Sequence, residues 1–255
     1  MDDPSQVKTI DRLVRVLECF TPEQPTWSLT EMALKLDLPK STLHRFLVGL
    51  EQHEILRRDA DDKRWRLGHR LFIWGSLAAE STGLRQVARP VMRKLAGETG
   101  ETAILTVYHN QQVICTDKVE TGHPVRLTLE VGARQACHAG ASSKILMAYL
   151  PAEEIQAIIR DRGLPKLCTN TITDPDKLTT ELARIREHGY ATSLEETDLG
   201  AWGVAAPVRD WKGQVAGAIG VAGPTLRYGK DRIRQHALLC CQAADEISKL
   251  LSLES

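Results

Sequence analysis

The chain has 255 residues and 42% hydrophobic content, enough for two packed domains, and its 33 Lys+Arg balance 33 Asp+Glu to a formal net charge of zero. Residues 1–70 balance as well, 12 Lys+Arg against 12 Asp+Glu, so any attraction to phosphate has to be local rather than domain-wide. No apolar run reaches membrane-spanning length, the opening Met-Asp-Asp-Pro-Ser is not a signal peptide, and the six cysteines (Cys19, Cys115, Cys137, Cys168, Cys240, Cys241) are scattered, so a cytoplasmic chain with reduced thiols and no membrane partner is expected.

In chain order, the spacing predicts a first helix over 7–20 with Ile10, Leu13, Val14 and Leu17 as its stripe, then a loop at 21–25. Ser28 and Glu31 form a Ser-x-x-Glu capping box, with Trp27 and Met32 placed as a hydrophobic staple. Leu29, Met32, Ala33 and Leu36 then share one helical face. Leu38 precedes Pro39 and is pushed out of the α region, which ends that helix; Pro39 sits in the first turn of the next. Leu43, Phe46, Leu47 and Leu50 repeat the apolar spacing, leaving Lys40, Ser41, Thr42, His44 and Arg45 outward at the helix N-terminal end. A recognition helix presents that end to the major groove. There Lys40, Ser41 and Thr42 can donate to phosphate, Arg45 can read guanine, and His44 can touch a base or a phosphate. An ordinary solvated helix carries the same residues; what favours DNA is the turn before it and the hairpin after it. That hairpin runs from Leu56 to Leu67 around an Asp-rich turn, with Arg57, Arg58, Lys63, Arg64 and Arg66 toward phosphate and Trp65 and Leu67 inward. The segment 38–70 holds 8 Lys+Arg against 5 Asp+Glu, the local basic lean that the chain as a whole lacks.

Residues 68–82 read as a helix with Leu71, Trp74 or Gly75, and Ala78 on one side; Trp74 suits a core or a dimer contact. Another helix follows from Leu84 to Gly97, showing Val87, Val91 and Leu95. Strands are expected at 102–109, 113–119 and 125–130, the first two joined by a turn at Asn110-Gln111-Gln112. Helices are expected at 141–149, 153–161 and 176–188, the last capped by Asp174-Pro175, with Leu178, Leu182 and Ile185 inward. A strand at 189–194, a hairpin of 204–209 with 214–221, and a closing helix at 231–253 complete an α+β sheet with helices on its faces.

The run Leu38-Pro-Lys-Ser-Thr-Leu-His-Arg45, with a hairpin closing on Trp65-Arg-Leu-Gly68, resembles the IclR family of bacterial transcriptional regulators. So do Cys137-His-Ala-Gly-Ala-Ser-Ser-Lys144, Ile185-Arg-Glu-His-Gly-Tyr190, Glu195-Glu196, Ala206-Pro-Val208 and Val221-Ala-Gly-Pro224, in that order. The resemblance implies two domains: a mainly α winged helix-turn-helix domain over 6–68, and an α+β, GAF/PAS-like effector domain with a central antiparallel sheet over 84–255. A linker helix at 69–83 joins them. It also implies a homodimer or homotetramer on a palindromic operator in double-stranded DNA, a small-molecule effector, and a repressor controlling a catabolic operon. Glu54 departs from the family pattern, which has glycine there; a left-handed cap would be costly for glutamate, so the recognition helix is expected to end differently.

Gly140 and the amides of Gly140 to Ser142, at a helix N-terminus, suit a carboxylate or hydroxyl oxygen, although a plain helix cap has the same sequence. Carried over position by position, the resemblance implies a pocket including Ala139, Gly140, Ala141, Glu196, Ala205, Gly220 and Ala222. The small apolar residues at the last three leave room for a ring or longer carbon chain, and Trp202 is a candidate wall. An inward Glu196 would favour hydroxyl or amino donors over a second carboxylate. The sequence has no P-loop, no nucleophile elbow and no Ser-x-x-Lys, and Gly217-x-x-Gly220-x-x-Gly223 lies within a strand. Glu195 and Glu196, adjacent on an extended segment, point apart and cannot pair as acid and base. A binding protein without cofactor or resident metal is therefore expected rather than an enzyme. A zinc site from His109, Cys115, Cys137 and His138, and a ligand-free second domain serving assembly alone, are the alternatives.

Overall fold

The computed structural model describes residues 8–80, 83–127 and 129–253. The chain divides into two compact units, Met1–Ser81 and Thr82–Ser255.

The first unit holds α1 (Lys8–Leu17), α2 (Leu29–Leu36), α3 (Lys40–Gln52), β1 (Leu56–Arg58), β2 (Trp65–Leu67) and α4 (His69–Glu80). The α2 capping box forms in both directions: Ser28 Oγ accepts from Glu31 N at 3.3 Å, and Glu31 Oε2 accepts from Ser28 N at 2.9 Å. Asp37 ends α2 in the left-handed conformation (φ 52°), and Leu38 N donates back to Ala33 O at 3.1 Å, satisfying the helix's last carbonyls. Met32, Leu36, Leu43, Leu47, Leu50, Leu56 and Trp65 close one core. In α1 the expected stripe is off by one register. Ile10 and Val14 are exposed, while Val16 is buried and Leu13, Leu17 and Phe20 pack beside it. Both sets repeat at i, i+3, i+4, i+7 and share Leu13 and Leu17, so spacing alone could not separate them. Residue 7, the expected start of that helix, lies outside the described residues. Glu54, contrary to expectation, adopts the left-handed cap (φ 57°), and Ile55 N bonds to Leu50 O at 2.9 Å. Helix α3 thus closes by the usual device despite lacking glycine. Of the helix expected at 69–83, α4 covers His69–Glu80, and Phe72, Ile73 and Trp74 on it are exposed.

The second unit runs α5 (Leu84–Thr99), β3 (Thr102–His109), β4 (Gln112–Val119), β5 (Arg134–Gln135), α6 (Ala141–Ala148), α7 (Ala152–Arg162), α8 (Pro175–His188), β6 (Ala191–Leu194), β7 (Ala201–Arg209), β8 (Val215–Pro224), a 3-10 turn (Thr225–Arg227) and α9 (Lys230–Leu253). Its antiparallel sheet has strand order β5-β4-β3-β8-β7-β6. Strand alternation sends Trp202, Val204, Ala206 and Val208, with Ile219, Val221, Ala103 and Leu105, into a core against α5 and α9. The opposite face carries small residues, Gly203, Ala205, Ala218 and Gly220, and packs against α6 with α8 behind it. Their size lets α6 lie close: a Cβ on Gly203 would stand 3.7 Å from that of Ala141. Two buried carboxylates brace the unit. Glu101 pairs with Arg227 through two bonds (2.7 and 2.6 Å), and Asp117 with Arg89 at 2.6 Å. The strand expected at 125–130 is not formed among the described residues. Val125 and Val131 are exposed, and only Arg134–Gln135 pairs with β4. That arm is tethered instead by Thr102 Oγ1 to Leu127 O at 3.2 Å and by Arg227 to Val125 O at 2.9 Å.

Candidate functional site

Two sites follow, one in each unit. In the first, α3 buries Leu43, Leu47 and Leu50 and exposes Lys40, Ser41, His44 and Arg45, with Thr42 half-buried. Pro39 supplies no side-chain cap, so the helix start presents free backbone donors and its positive dipole end outward, beside Lys40. The hairpin is narrower in its offer than its composition suggested. Arg57 is exposed on β1. Arg58 donates to Lys63 O at 3.2 Å and its guanidinium lies over the Trp65 ring, while Lys63 Nζ donates to Ala60 O at 2.7 Å; both remain at the surface. Arg64 is a correction. It binds Glu31 Oε2 at 2.6 Å and Thr26 through its Nε and Nη2, which pins the hairpin to α2 rather than offering a cation to phosphate. Arg66 likewise pairs with Asp59 and Asp62. Trp65 is buried as expected, its backbone bridged to Trp27, but Leu67, two residues on and at the end of β2, is exposed.

In the second unit a cleft of about 330 Å³ opens at the N-terminus of α6, between Arg126, Leu127 and Leu129, the 197–198 loop and the ends of β7 and β8. That volume lies at the small end of the range of ligand pockets, suiting a single ring or short acid. Of the residues singled out in the sequence, Gly140, Ala141, Ser142, Gly220 and Ala222 line it. Gly140 precedes α6 at φ 91°, and no side chain caps the helix. Close behind lies a buried Ser143 hydroxyl with no partner among the described residues.

The other expected lining residues are placed differently. Glu196 turns away from the cleft: its Oε2 accepts from Gly140 N at 2.9 Å and its Oε1 from Lys144 Nζ at 2.6 Å. Lys144, also buried, reaches Glu181 at 3.1 Å and Thr192 O at 2.9 Å. This neutral cluster of Lys144, Glu196, Glu181 and Arg184 holds the Gly140 loop; sequence reading missed Lys144, whose single charge in an apolar helix was the available signal. For Glu181, burial pushes the carboxyl up, but Arg184 and Lys144 outweigh it and hold it below its ordinary value. Ala205 and Ala139 are fully buried and do not line the cleft; Ala205 packs in the core beneath α6. Gly220 leaves no extra room either, because a Cβ there would meet Val204 O at 2.5 Å and Ala205 Cβ at 2.9 Å. Trp202 borders the cleft, but its indole lies on the α5/α9 side, stacked on His236 and donating to Pro224 O at 3.0 Å. It is no aromatic wall; alternation gives the cleft its main chain. Glu195 has φ 50° rather than an extended conformation and accepts from Gly200 N, so the two glutamates still diverge. Among the described residues no group of three or more His, Cys, Asp or Glu could hold a metal, and Cys115 and Cys137 are buried free thiols.

Residues 9–60 match the IclR helix-turn-helix domain, and residues 76–249 match the C-terminal domain of the bacterial transcriptional regulator IclR. The chain belongs to the IclR family. It is a DNA-binding transcriptional regulator with the family's two-domain fold. Among curated relatives it is 33% identical to the HTH-type transcriptional regulator BhcR of Paracoccus denitrificans, over 97% of this chain and 88% of that one. It is 29% identical to the transcriptional repressor IclR of Escherichia coli, over 95% and 89%. Of solved structures, an IclR regulator from Alicyclobacillus acidocaldarius matches with TM-score 0.85 and 26% identity, over 97% of this chain and all of that one. An IclR homologue from Microbacterium hydrocarbonoxydans complexed with 4-hydroxybenzoate matches with TM-score 0.85 and 27% identity, over 95% and 98%. No helix among the described residues is long and apolar enough to cross a membrane.

Proposed function

We propose that this regulator is a cytoplasmic, non-enzymatic repressor that binds a palindromic operator as a homodimer or homotetramer. A small carboxylated or hydroxylated metabolite in the α6 cleft shifts the population of DNA-competent states. The observation that carries the effector reading is the N-terminus of α6 facing a cleft behind Gly140, where no side chain among the described residues caps the helix. The ligand in the Microbacterium homologue, 4-hydroxybenzoate, has the size and acceptor chemistry that such a cleft takes. Lys40, Ser41, Thr42, His44, Arg45 and Arg57 are the DNA contacts, with Arg58 and Lys63 at the margin. Exposed Phe72, Ile73 and Trp74 on α4, and Ile10 and Val14 on α1, suit burial between protomers. The stretch 69–83 joins the two units in the chain and is the route by which the signal passes.

The test is a footprinting titration of operator DNA from the chain's own promoter, with and without effector. Arg45→Ala weakens specific binding by one base contact, about 1–3 kcal/mol. Gly140→Val, strained at φ 91° and pressed on the Thr197 methyl, abolishes the effector response and leaves operator binding intact. Unchanged affinity in the first, or normal ligand binding by calorimetry in the second, refutes the assignments.

A further inference from the structure

Resting on the effector reading of the α6 cleft, we infer that this chain selects a hydroxy or oxo acid bound with its neutral oxygen at α6 and its carboxylate at Arg126 on the rim. Two independent features set that polarity.

The inner end already holds a carboxylate. Glu196 accepts from Gly140 N at 2.9 Å, the amide immediately before those of Ala141 and Ser142. It is anchored as well as charged: Lys144 grips its other oxygen at 2.6 Å, and its backbone carbonyl accepts from Thr171 Oγ1 at 2.6 Å. Lys144 has no charge to spare, because it also serves Glu181 at 3.1 Å. A ligand carboxylate on the Ala141 and Ser142 amides would compete with Glu196, already on the Gly140 amide, for the same positive helix end. A hydroxyl or carbonyl oxygen meets the same donors without that penalty.

At the outer end, Arg126 is the only cation among the described lining residues. Its guanidinium rests against Glu120 (3.1 and 3.0 Å), a carboxylate that also takes Lys118 at 3.0 Å. Glu120 therefore keeps a partner if Arg126 turns to a ligand, and a surface pair of this kind is weak enough to exchange. The backbone on both sides of Arg126 is fixed, at Val125 O by Arg227 and at Leu127 O by Thr102, so the side chain starts from a held point on the rim. Of the other lining residues, Ile104, Leu127, Leu129 and Ala222 are apolar, and Asp198 carries a carboxylate.

The experiment is calorimetric titration of the full-length protein with matched acid and amide pairs: 4-hydroxybenzoate against 4-hydroxybenzamide, and lactate against lactamide. In the wild type the acid of a pair binds roughly fivefold more tightly than its amide, the scale of one exposed ion pair. Arg126→Ala, an exposed position, removes that preference and leaves amide binding unchanged. Glu196→Gln preserves it. An acid preference that survives Arg126→Ala overturns the orientation. If no acid or amide binds the wild type, or if binding is equal in Gly140→Val, the effector reading falls and the orientation with it.

Discussion

Lys144→Met tests the cluster that holds the Gly140 loop. In the wild type the ammonium is almost fully buried and meets Glu196 at 2.6 Å, Glu181 at 3.1 Å and Thr192 O at 2.9 Å. Removing one partner of a buried pair costs about 3–5 kcal/mol, because the other charge is left uncompensated. Three features place this case at the lower bound, near about 3 kcal/mol. Methionine fills the space of the lysine stem. Glu181 keeps Arg184, and Glu196 keeps the Gly140 amide. Adding Glu196→Gln removes the stranded charge while an amide oxygen still accepts from Gly140, so the double variant recovers to within about 1 kcal/mol of wild type. Glu181 adds a pH signature. Its carboxyl is held below the ordinary value of 4.5, so its stability is present above that pH and is lost as pH falls through the folded value. Losing Lys144 takes away one of the two cations responsible, so the acid limb of the stability curve becomes shallower. Amide exchange across 141–148 and 191–194 in the full-length protein, measured against pH, reads both effects. A loss under about 1 kcal/mol with an unchanged acid limb would refute the reasoning.

The remaining predictions concern the cap, the hairpin and the buried histidine. Arg57→Ala lowers the slope of log affinity against log salt by about 1, whereas Arg64→Ala leaves the slope unchanged and loosens the hairpin from Glu31; titrations across salt concentrations and thermal melts separate the two. Glu54→Gly relieves a left-handed glutamate and raises the stability of the DNA-binding unit by up to about 1 kcal/mol in urea titrations, with operator affinity unchanged. Burial holds the His236 imidazole below its ordinary value of 6.5, so its contribution is present above that pH and is lost as pH falls through it. His236→Phe keeps a ring on Trp202 and removes the titration; thermal melts then show a smaller loss on acidification than in wild type.

The helix-turn-helix was legible because each of its signals is local. The capping box, the proline turn and the two apolar stripes act within a few residues, and the structure realises all of them. The long-range sheet was less so. The alternation at 125–131 suits a strand, but a strand needs a partner, and among the described residues no ladder forms there; Thr102 and Arg227 tether the arm instead. Strand β7 begins at Ala201, three residues before its expected start, because Ala201-Trp202-Gly203 carries no β-branched residue to announce it.

The site shows why residue identity outran orientation. From Ala201 to Ala206 the chain is buried at every position, so no polar residue marks which parity faces α6. A one-residue error in parity exchanges the two faces. It is what turned Trp202 from a pocket wall into part of the α9 core, while the neighbouring Gly203 borders the cleft. The arginines of the hairpin pose the same problem in charge rather than packing. Arg57 and Arg64 are chemically identical, and what distinguishes them is Glu31, 33 residues before Arg64. Such a pairing has no local signature, so a basic hairpin read from composition overstates the charge it can offer to DNA. On the proposed reading the surface that remains, centred on Lys40, Arg45 and Arg57, is small enough that a single protomer would grip DNA weakly, and pairing two copies on a two-fold operator would double those contacts without changing any residue.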